Sequence, residues 1–205
     1  MVQNMRIGLD FDNTIACYDR ALTAIAKTEG LLPDSFSGVK PMVKAELLRQ
    51  RPDGFLWERL QGLAYGSRIG QAQLFPGFKA FLERCRAAPN TEVFIVSHKT
   101  ELAHHDPRRT NLHQAARGWL ETQGLVGGSQ APLKDDHIFF EVTREMKVRR
   151  IGALACEVFV DDLSEVLEHP AMPASCRCIL FSGPPQDGHE QYQTWRDIGD
   201  ALFIR

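Results

Sequence analysis

The sequence predicts an α/β fold built on a doubly wound parallel sheet, with a small helical insertion after the first strand. Short apolar runs bounded by polar residues recur along the chain and predict buried strands. Segments with the apolar spacing of helices lie between most of these runs. Residues 15–74, between the first two runs, contain helical spacing and turn residues but no similar apolar run. Strands and helices therefore alternate along the chain with one interruption, which indicates one sheet with one insertion.

The regular part of the pattern predicts a Rossmann-like core. Parallel strands need crossover connections, and helices usually supply them. The predicted strands are 6–9, 93–96, 137–140, 158–160 and 178–181. The predicted helices of the core are 78–87, 112–122, 147–155 and 164–169.

The interruption predicts a helical cap at residues 18–74, inserted into a core formed by residues 1–17 and 75–205. Helices are expected at 20–29, 43–51 and 55–63, because prolines separate these apolar patterns. The turn at Phe75-Pro76-Gly77 marks the return to the core. An insertion after the first strand is expected to overhang the carboxyl end of that strand.

Composition narrows the class of ligand. The chain has 205 residues and a formal net charge of -2, which argues against binding a nucleic-acid polymer or an anionic membrane surface. No apolar stretch approaches the roughly 18 residues of a membrane span. Five cysteines without a C-x-x-C pair are expected to be reduced thiols. We therefore expect a cytoplasmic protein with a small, specific ligand, and the sequence does not indicate an oligomeric state.

Polar residues follow three of the predicted strands. Asp10 and Asp12 follow the first, Ser97 the second, and Asp161-Asp162 the strand at 158–160. Helix capping would explain any one of these alone, but not all three. The carboxyl ends of parallel strands meet at one edge, where ligands bind. The sequence therefore predicts a functional site at this edge.

Four carboxylates at one edge would repel each other unless a cation compensates them. Oxygen ligands without a histidine and cysteine cluster favour Mg²⁺, which shares its coordination with substrate phosphate. Asp10, Asp12, Asp161 and Asp162 are the candidate metal-site residues. Two carboxyl groups in one short segment also permit a nucleophile and a general acid.

A cation for the same site is expected from the helix that begins near Thr143. Lys147 lies in its opening turn and could neutralise both the carboxylates and a transferring phosphoryl group. Arg144 and Arg149 are alternatives from the same turn. A second basic segment follows Ser97 and includes His98, Lys99, His104 and Arg108; it is either a solvated loop or a site for a second acidic group of the substrate.

Taken in chain order, these residues resemble the four motifs of the haloacid dehalogenase-like hydrolase superfamily. The first motif is Asp10-x-Asp12-x-Thr14, and the next three are Ser97, Lys147 and Asp161-Asp162. The resemblance spans nearly the whole chain and includes an insertion between the first and second motifs, as in members with a helical cap.

The resemblance implies a role for each matching residue. Asp10 would be the nucleophile, and Asp12 the general acid and base, with its backbone carbonyl as a metal ligand. Asp162 would be the more direct Mg²⁺ ligand, with Asp161 beside it. By the same resemblance Thr14 would support the loop, Ser97 would bind the phosphoryl oxygens, and Lys147 would hold both nucleophile and phosphate. His98 departs from the family pattern and is a candidate phosphate contact only as part of the basic segment after Ser97.

The resemblance also favours phosphoryl chemistry over dehalogenation, because the dehalogenating branch lacks an aspartate two residues after the nucleophile. The predicted function is Mg²⁺-dependent hydrolysis of a small-molecule phosphate monoester through a phospho-aspartate on Asp10. A phosphomutase, a phosphatase similar to 5'(3')-deoxyribonucleotidases, and a non-catalytic phospho-ligand binder remain alternatives. A phospho-aspartate receiver is disfavoured, because Lys147 precedes Asp161-Asp162 and receivers place their lysine last.

Overall fold

The computed structural model describes residues 5–203. Its strands are β1 Met5–Leu9, β2 Ala16–Cys17, β3 Gln73–Leu74, β4 Thr91–His98, β5 Ile138–Glu141, β6 Val158–Asp161, β7 Arg177–Phe181 and β8 Glu190–Tyr192. Its α-helices are α1 Asp19–Thr28, α2 Lys40–Gln50, α3 Phe55–Tyr65, α4 Phe78–Ala87, α5 Leu112–Thr122, α6 Arg144–Ala153, α7 Ser164–Leu167 and α8 Trp195–Phe203.

The main sheet is six-stranded, with the order β5-β4-β1-β6-β7-β8 and parallel pairing throughout. β1 lies between β4 and β6, so the residues that follow all three strands meet at one edge. The predicted Rossmann-like parallel sheet is confirmed, and each of the five predicted strands is part of it. β2 and β3 form a separate two-stranded sheet.

Helices cover the sheet on both faces. Val148 and Ile151 of α6 and Val166 of α7 pack with Phe94 and Phe159 in one buried cluster. A second, aromatic group joins α4 to α8 and to β7: Trp195 lies with its ring centroid 4.8 Å from that of Phe78 and 5.0 Å from that of Phe181. Burial of apolar area on two faces anchors β1 at the centre of the core.

The chain divides into two compact units. One comprises the described residues of Met1–Ala16, Leu74–Lys99 and Gly124–Arg205, and it contains the six-stranded sheet. The other comprises Cys17–Gln73 and Thr100–Gln123, and it contains α1, α2, α3 and α5. The predicted helices at 20–29, 43–51 and 55–63 correspond to the first three of these.

The second unit is larger than the insertion at 18–74 that the sequence predicts. Residues Thr100–Gln123, which the sequence analysis assigns to the core, belong to this unit. The reason is the packing of α5, which contacts α3. The buried indole of Trp119 also donates a hydrogen bond of 3.3 Å to the backbone carbonyl of Ala72. Within residues 5–203, no helix has both the length and the apolar character needed to cross a membrane.

Candidate active site

A tight turn after β1 holds the first two carboxylates. The amide of Asp10 donates 2.9 Å to the carbonyl of Val160, so parallel pairing with β6 continues past the end of β1. The chain then reverses: the amide of Ala16 donates to the carbonyl of Phe11, and Asn13 has a left-handed φ of 60°. Asparagine tolerates this conformation better than most residues. The turn fixes Asp10 and Asp12 at the carboxyl edge of the sheet.

Lys147 connects two of the strand ends. Its ammonium donates a hydrogen bond of 2.6 Å to Oδ1 of Asp10 and another of 2.6 Å to Oδ2 of Asp161. The Ser97 hydroxyl donates a hydrogen bond of 2.9 Å to the same Asp10 oxygen, and the amide of Leu163 donates one of 3.0 Å to Oδ1 of Asp161. Asp10 directly follows β1, Ser97 lies in β4, and Asp161 ends β6. The parallel sheet and the helix α6, which contains Lys147, therefore bring the predicted motifs together. Only 2% of Lys147 and none of Asp161 is exposed.

The start of α6 determines where Lys147 points. Thr143 caps this helix, because its hydroxyl accepts a hydrogen bond of 3.1 Å from the amide of Met146. Lys147 follows one turn into the helix, and its ammonium also lies 5.4 Å from the ring centroid of Phe159. A lysine in this turn is directed into the sheet edge, whereas the rival Arg149 pairs with Glu145 on the exposed side.

The buried charges alter each other's proton affinity. Burial opposes the charged form of Lys147, but the charges of Asp10 and Asp161 and the hydrogen bonds to both outweigh it. The pKa of Lys147 therefore lies above its ordinary value. Burial raises the pKa of the Asp161 carboxyl to about 7 against the opposing charge of Lys147, and the charge of Asp10 adds to this rise. A divalent cation at the site would lower the pKa of Asp161 again.

Three carboxylates form a group that suits a metal ion. Oxygen atoms of Asp10, Asp161 and Asp162 all lie within 4.8 Å of one another. Three carboxylates against the one ammonium of Lys147 leave two negative charges, which a divalent cation would balance. The donors are all oxygen atoms, which a hard cation such as Mg²⁺ prefers. Asp162 is less buried than Asp161.

The Asp12 carboxylate lies apart from the three-carboxylate group. Its Oδ2 instead accepts a hydrogen bond of 2.6 Å from the ammonium of Lys99. The predicted metal contact of Asp12 through its backbone carbonyl stays a prediction. Lys99 is only 3% exposed, so the basic segment after Ser97 is not simply a solvated loop.

The two other predicted contacts, Thr14 and His98, differ in burial. Thr14 is fully buried, and its hydroxyl has no hydrogen-bond partner within residues 5–203, while its carbonyl accepts a hydrogen bond of 3.1 Å from the indole of Trp195. His98 lies exposed at the end of β4, outside the group bonded to Lys147. Partial burial and the charge of Lys147 lower the pKa of His98. The structure therefore brings Ser97 to Asp10 but does not bring His98 into the same hydrogen-bonded group.

The sequence places Lys99 in the basic segment after Ser97, but its pairing with Asp12 was not predicted. One signal for it exists in the sequence. Side chains alternate along a strand, so a residue two positions after Ser97 is expected on the same side as Ser97. The structure bears this out, because Ser97 meets Asp10 and Lys99 meets Asp12, two residues further along each segment.

Comparison with known proteins identifies the fold. No family model and no curated protein matches this sequence. Many solved structures that match over nearly the whole chain are haloacid dehalogenase (HAD)-superfamily hydrolases. A haloacid dehalogenase-like hydrolase from Streptococcus pneumoniae is 11% identical with a TM-score of 0.62, covering 98% of this chain and 100% of that one. The chain therefore has the fold of these hydrolases.

Two further matches are similar in extent. A HAD-superfamily hydrolase of subfamily IA from Geobacter sulfurreducens PCA is 14% identical with a TM-score of 0.58, covering 97% of this chain and 96% of that one. A HAD-family hydrolase from Deinococcus radiodurans R1, whose structure contains bound phosphate and sodium, is 15% identical with a TM-score of 0.50. It covers 97% of this chain and 95% of that one.

Proposed function

We propose that this chain is a haloacid dehalogenase-like hydrolase that cleaves a small-molecule phosphate monoester with Mg²⁺, through a phospho-aspartate on Asp10. The observation that carries the proposal is the position of Lys147, whose ammonium bonds both Asp10 and Asp161 in a buried site. A buried cation between two carboxylates suits a site that must hold a nucleophile beside an anionic group. The phosphate bound to the Deinococcus hydrolase of the same fold supports this choice of substrate group.

The residues present account for both halves of the reaction. An oxygen of Asp10 forms a bond to phosphorus while the bond from phosphorus to the leaving oxygen breaks. As the general acid, Asp12 gives a proton to that oxygen, and the alcohol departs. Asp12 then takes a proton from water as the water oxygen attacks phosphorus and the bond to Asp10 breaks. Inorganic phosphate is released, and both carboxyl groups return to their first state.

The remaining residues bind and orient. The Ser97 hydroxyl, which donates to Asp10 in this structure, would turn its one hydrogen to a phosphoryl oxygen when substrate binds. Lys147 would neutralise that group while it holds the nucleophile. Asp10, Asp161 and Asp162 would hold the cation, with the backbone carbonyl of Asp12. When bound, Mg²⁺ would neutralise charge on the phosphoryl oxygens. Thr14 would support the turn, and His98 would contact the substrate at the rim.

Two further parts of the proposal concern the substrate and the setting. Asp12 favours an ester over a haloacid, because proton transfer to a leaving oxygen needs a positioned acid, whereas a departing halide needs none. We also propose that helices of the insertion contribute to the choice of substrate. The described cysteines are all free thiols, in keeping with a reducing, cytoplasmic setting.

The test is a panel of phosphorylated metabolites and one haloacid, assayed for free phosphate, halide and isomerised phosphate ester. We expect phosphate release that requires Mg²⁺, stops in chelator, and falls in excess Ca²⁺, because Ca²⁺ prefers longer bonds and more ligands. Isomerised ester in place of free phosphate would favour the phosphomutase alternative. Halide release, or full phosphate release in chelator, would contradict the proposal.

A further inference from the structure

The pair of Asp12 and Lys99 is a second buried ion pair at the sheet edge. The ammonium of Lys99 lies 2.6 Å from Oδ2 of Asp12, and the two side chains are 1% and 15% exposed. The Lys99 ammonium also lies 5.4 Å from the ring centroid of Phe11, the residue between the two predicted catalytic carboxylates. Lys99 therefore lies beside two neighbouring residues of the same short segment.

Stability alone does not explain this pair. Taking two charges out of water costs free energy that their attraction only partly returns, so apolar residues of similar volume often serve a fold as well. Lysine in particular is rarely buried unless a specific partner requires it. A buried lysine whose bonded partner is the proposed acid and base is more simply explained by a role in the reaction.

The backbone around Lys99 is fixed as well. Its amide donates 2.8 Å to the carbonyl of Glu141, which extends the pairing of β4 with β5 past His98. Lys99 therefore extends from sheet backbone, as Ser97 does, and not from a mobile loop. Rigid support at both ends of the side chain allows it to hold a partner in one orientation.

We propose that Lys99 is a positioning residue that fixes the rotation of the Asp12 carboxylate for proton transfer. Its bond to Oδ2 sets the direction of Oδ1, the oxygen that would give a proton to the leaving group as the bond from Asp10 to phosphorus forms. In this role Lys99 acts through Asp12. This inference rests on the proposed phosphohydrolase function.

The test is the rate of phospho-enzyme formation in single turnovers, measured with an alkyl phosphate substrate and with p-nitrophenyl phosphate. For Lys99→Met we expect a loss of about tenfold to hundredfold with the alkyl ester, because misplacement of an acid forfeits much of its contribution. With p-nitrophenyl phosphate, whose leaving group needs no proton, the loss should stay below about threefold. Lys99→Arg should recover part of the alkyl rate.

Two comparisons separate positioning from folding. Arg6→Met removes an ion pair at the opposite end of the same sheet and should change neither rate by more than about twofold. In an Asp12→Asn background, where no carboxylate remains to be oriented and no unpaired negative charge is left, Lys99→Met should change the alkyl rate by less than about twofold. The variant with both Asp12→Asn and Lys99→Met can still be measured if Lys99→Met alone folds poorly.

Each result decides the matter. Selective loss with the alkyl ester, removed by Asp12→Asn, supports the positioning role. Equal loss with both esters, or the same loss in both backgrounds, overturns it while the phosphohydrolase function stands. Wild-type enzyme that forms no phospho-enzyme with any ester overturns the proposed function, and this inference with it.

Discussion

The two ends of the six-stranded sheet carry charged residues in different surroundings. At the amino end, Arg6 and Glu92 form an ion pair of 3.2 Å whose side chains are 38% and 31% exposed. At the carboxyl end, Lys147 and Lys99 are buried, and each bonds an aspartate at 2.6 Å. The ion pair at the amino end of the sheet is therefore in contact with water, whereas the lysines at the carboxyl end are buried.

Under the proposed function, this difference separates charges that serve the fold from charges that serve chemistry. An exposed ion pair contributes little to stability, so its loss changes the free energy of unfolding only slightly. Buried charges cost free energy, and groups with shifted pKa values concentrate at functional sites for that reason. The carboxyl end holds Asp161, whose pKa burial raises to about 7. We therefore place the reaction there and expect substitutions at the two ends to have very different effects.

The largest effect is expected for Lys147→Met. Removing the ammonium leaves Asp10 and Asp161 as neighbouring buried carboxylates without their shared partner. We expect turnover to fall by about 10²–10³-fold and the free energy of unfolding in chelator to fall by about 3–5 kcal/mol. Steady-state kinetics and urea unfolding measure the two quantities.

Lys147→Arg is the matched control, because it keeps the charge but changes its geometry. It should retain more stability than Lys147→Met, while activity stays low. If Lys147→Met kept both wild-type stability and wild-type turnover, the contrast between the two ends of the sheet would have no functional meaning.

The smallest effect is expected at the amino end. Arg6→Met loses the ion pair with Glu92 and a hydrogen bond of 3.0 Å to the carbonyl of Leu154. We expect a loss of less than about 1 kcal/mol, since exposed pairs are weak and screened by salt. Unfolding at low and high ionic strength measures this loss. A loss as large as that of Lys147→Met would refute the comparison.

Much of the fold follows from local patterns. The helix predicted at 78–87 and the structure's α4 have the same ends, and so do the helix predicted at 112–122 and α5. Both helices have apolar residues at helical spacing, which a sequence displays directly. The edge strand β8 was missed because Glu190-Gln191-Tyr192 has no apolar run, as is common for a short strand at the edge of a sheet. The helix α8 was not predicted either, although Trp195 and Ile198 are buried.

What depends on distant partners could not be predicted. The amphipathic pattern of α5 shows an apolar face but not which element it packs against, so its place beside α3 was missed. Lys99 looks like any lysine of a basic segment until Asp12, 87 residues away, is known to lie beside it. Lys147 was predicted as a site residue from two features of the sequence. It lies in the first turn of a predicted helix, and it falls in the expected order among the motifs.

The most direct test of the central claim compares Asp10→Asn with Asp12→Asn by rapid-quench labelling, using an ester with a radiolabelled phosphoryl group, followed by peptide mapping. We expect Asp10→Asn to acquire no phosphate from any substrate, because an amide cannot replace the attacking carboxylate. We expect Asp12→Asn to accumulate phosphate on Asp10 from an activated aryl ester, because no base remains to activate water. Label on the Asp10→Asn protein, or label away from Asp10 in the Asp12→Asn protein, would contradict the assignment of the nucleophile.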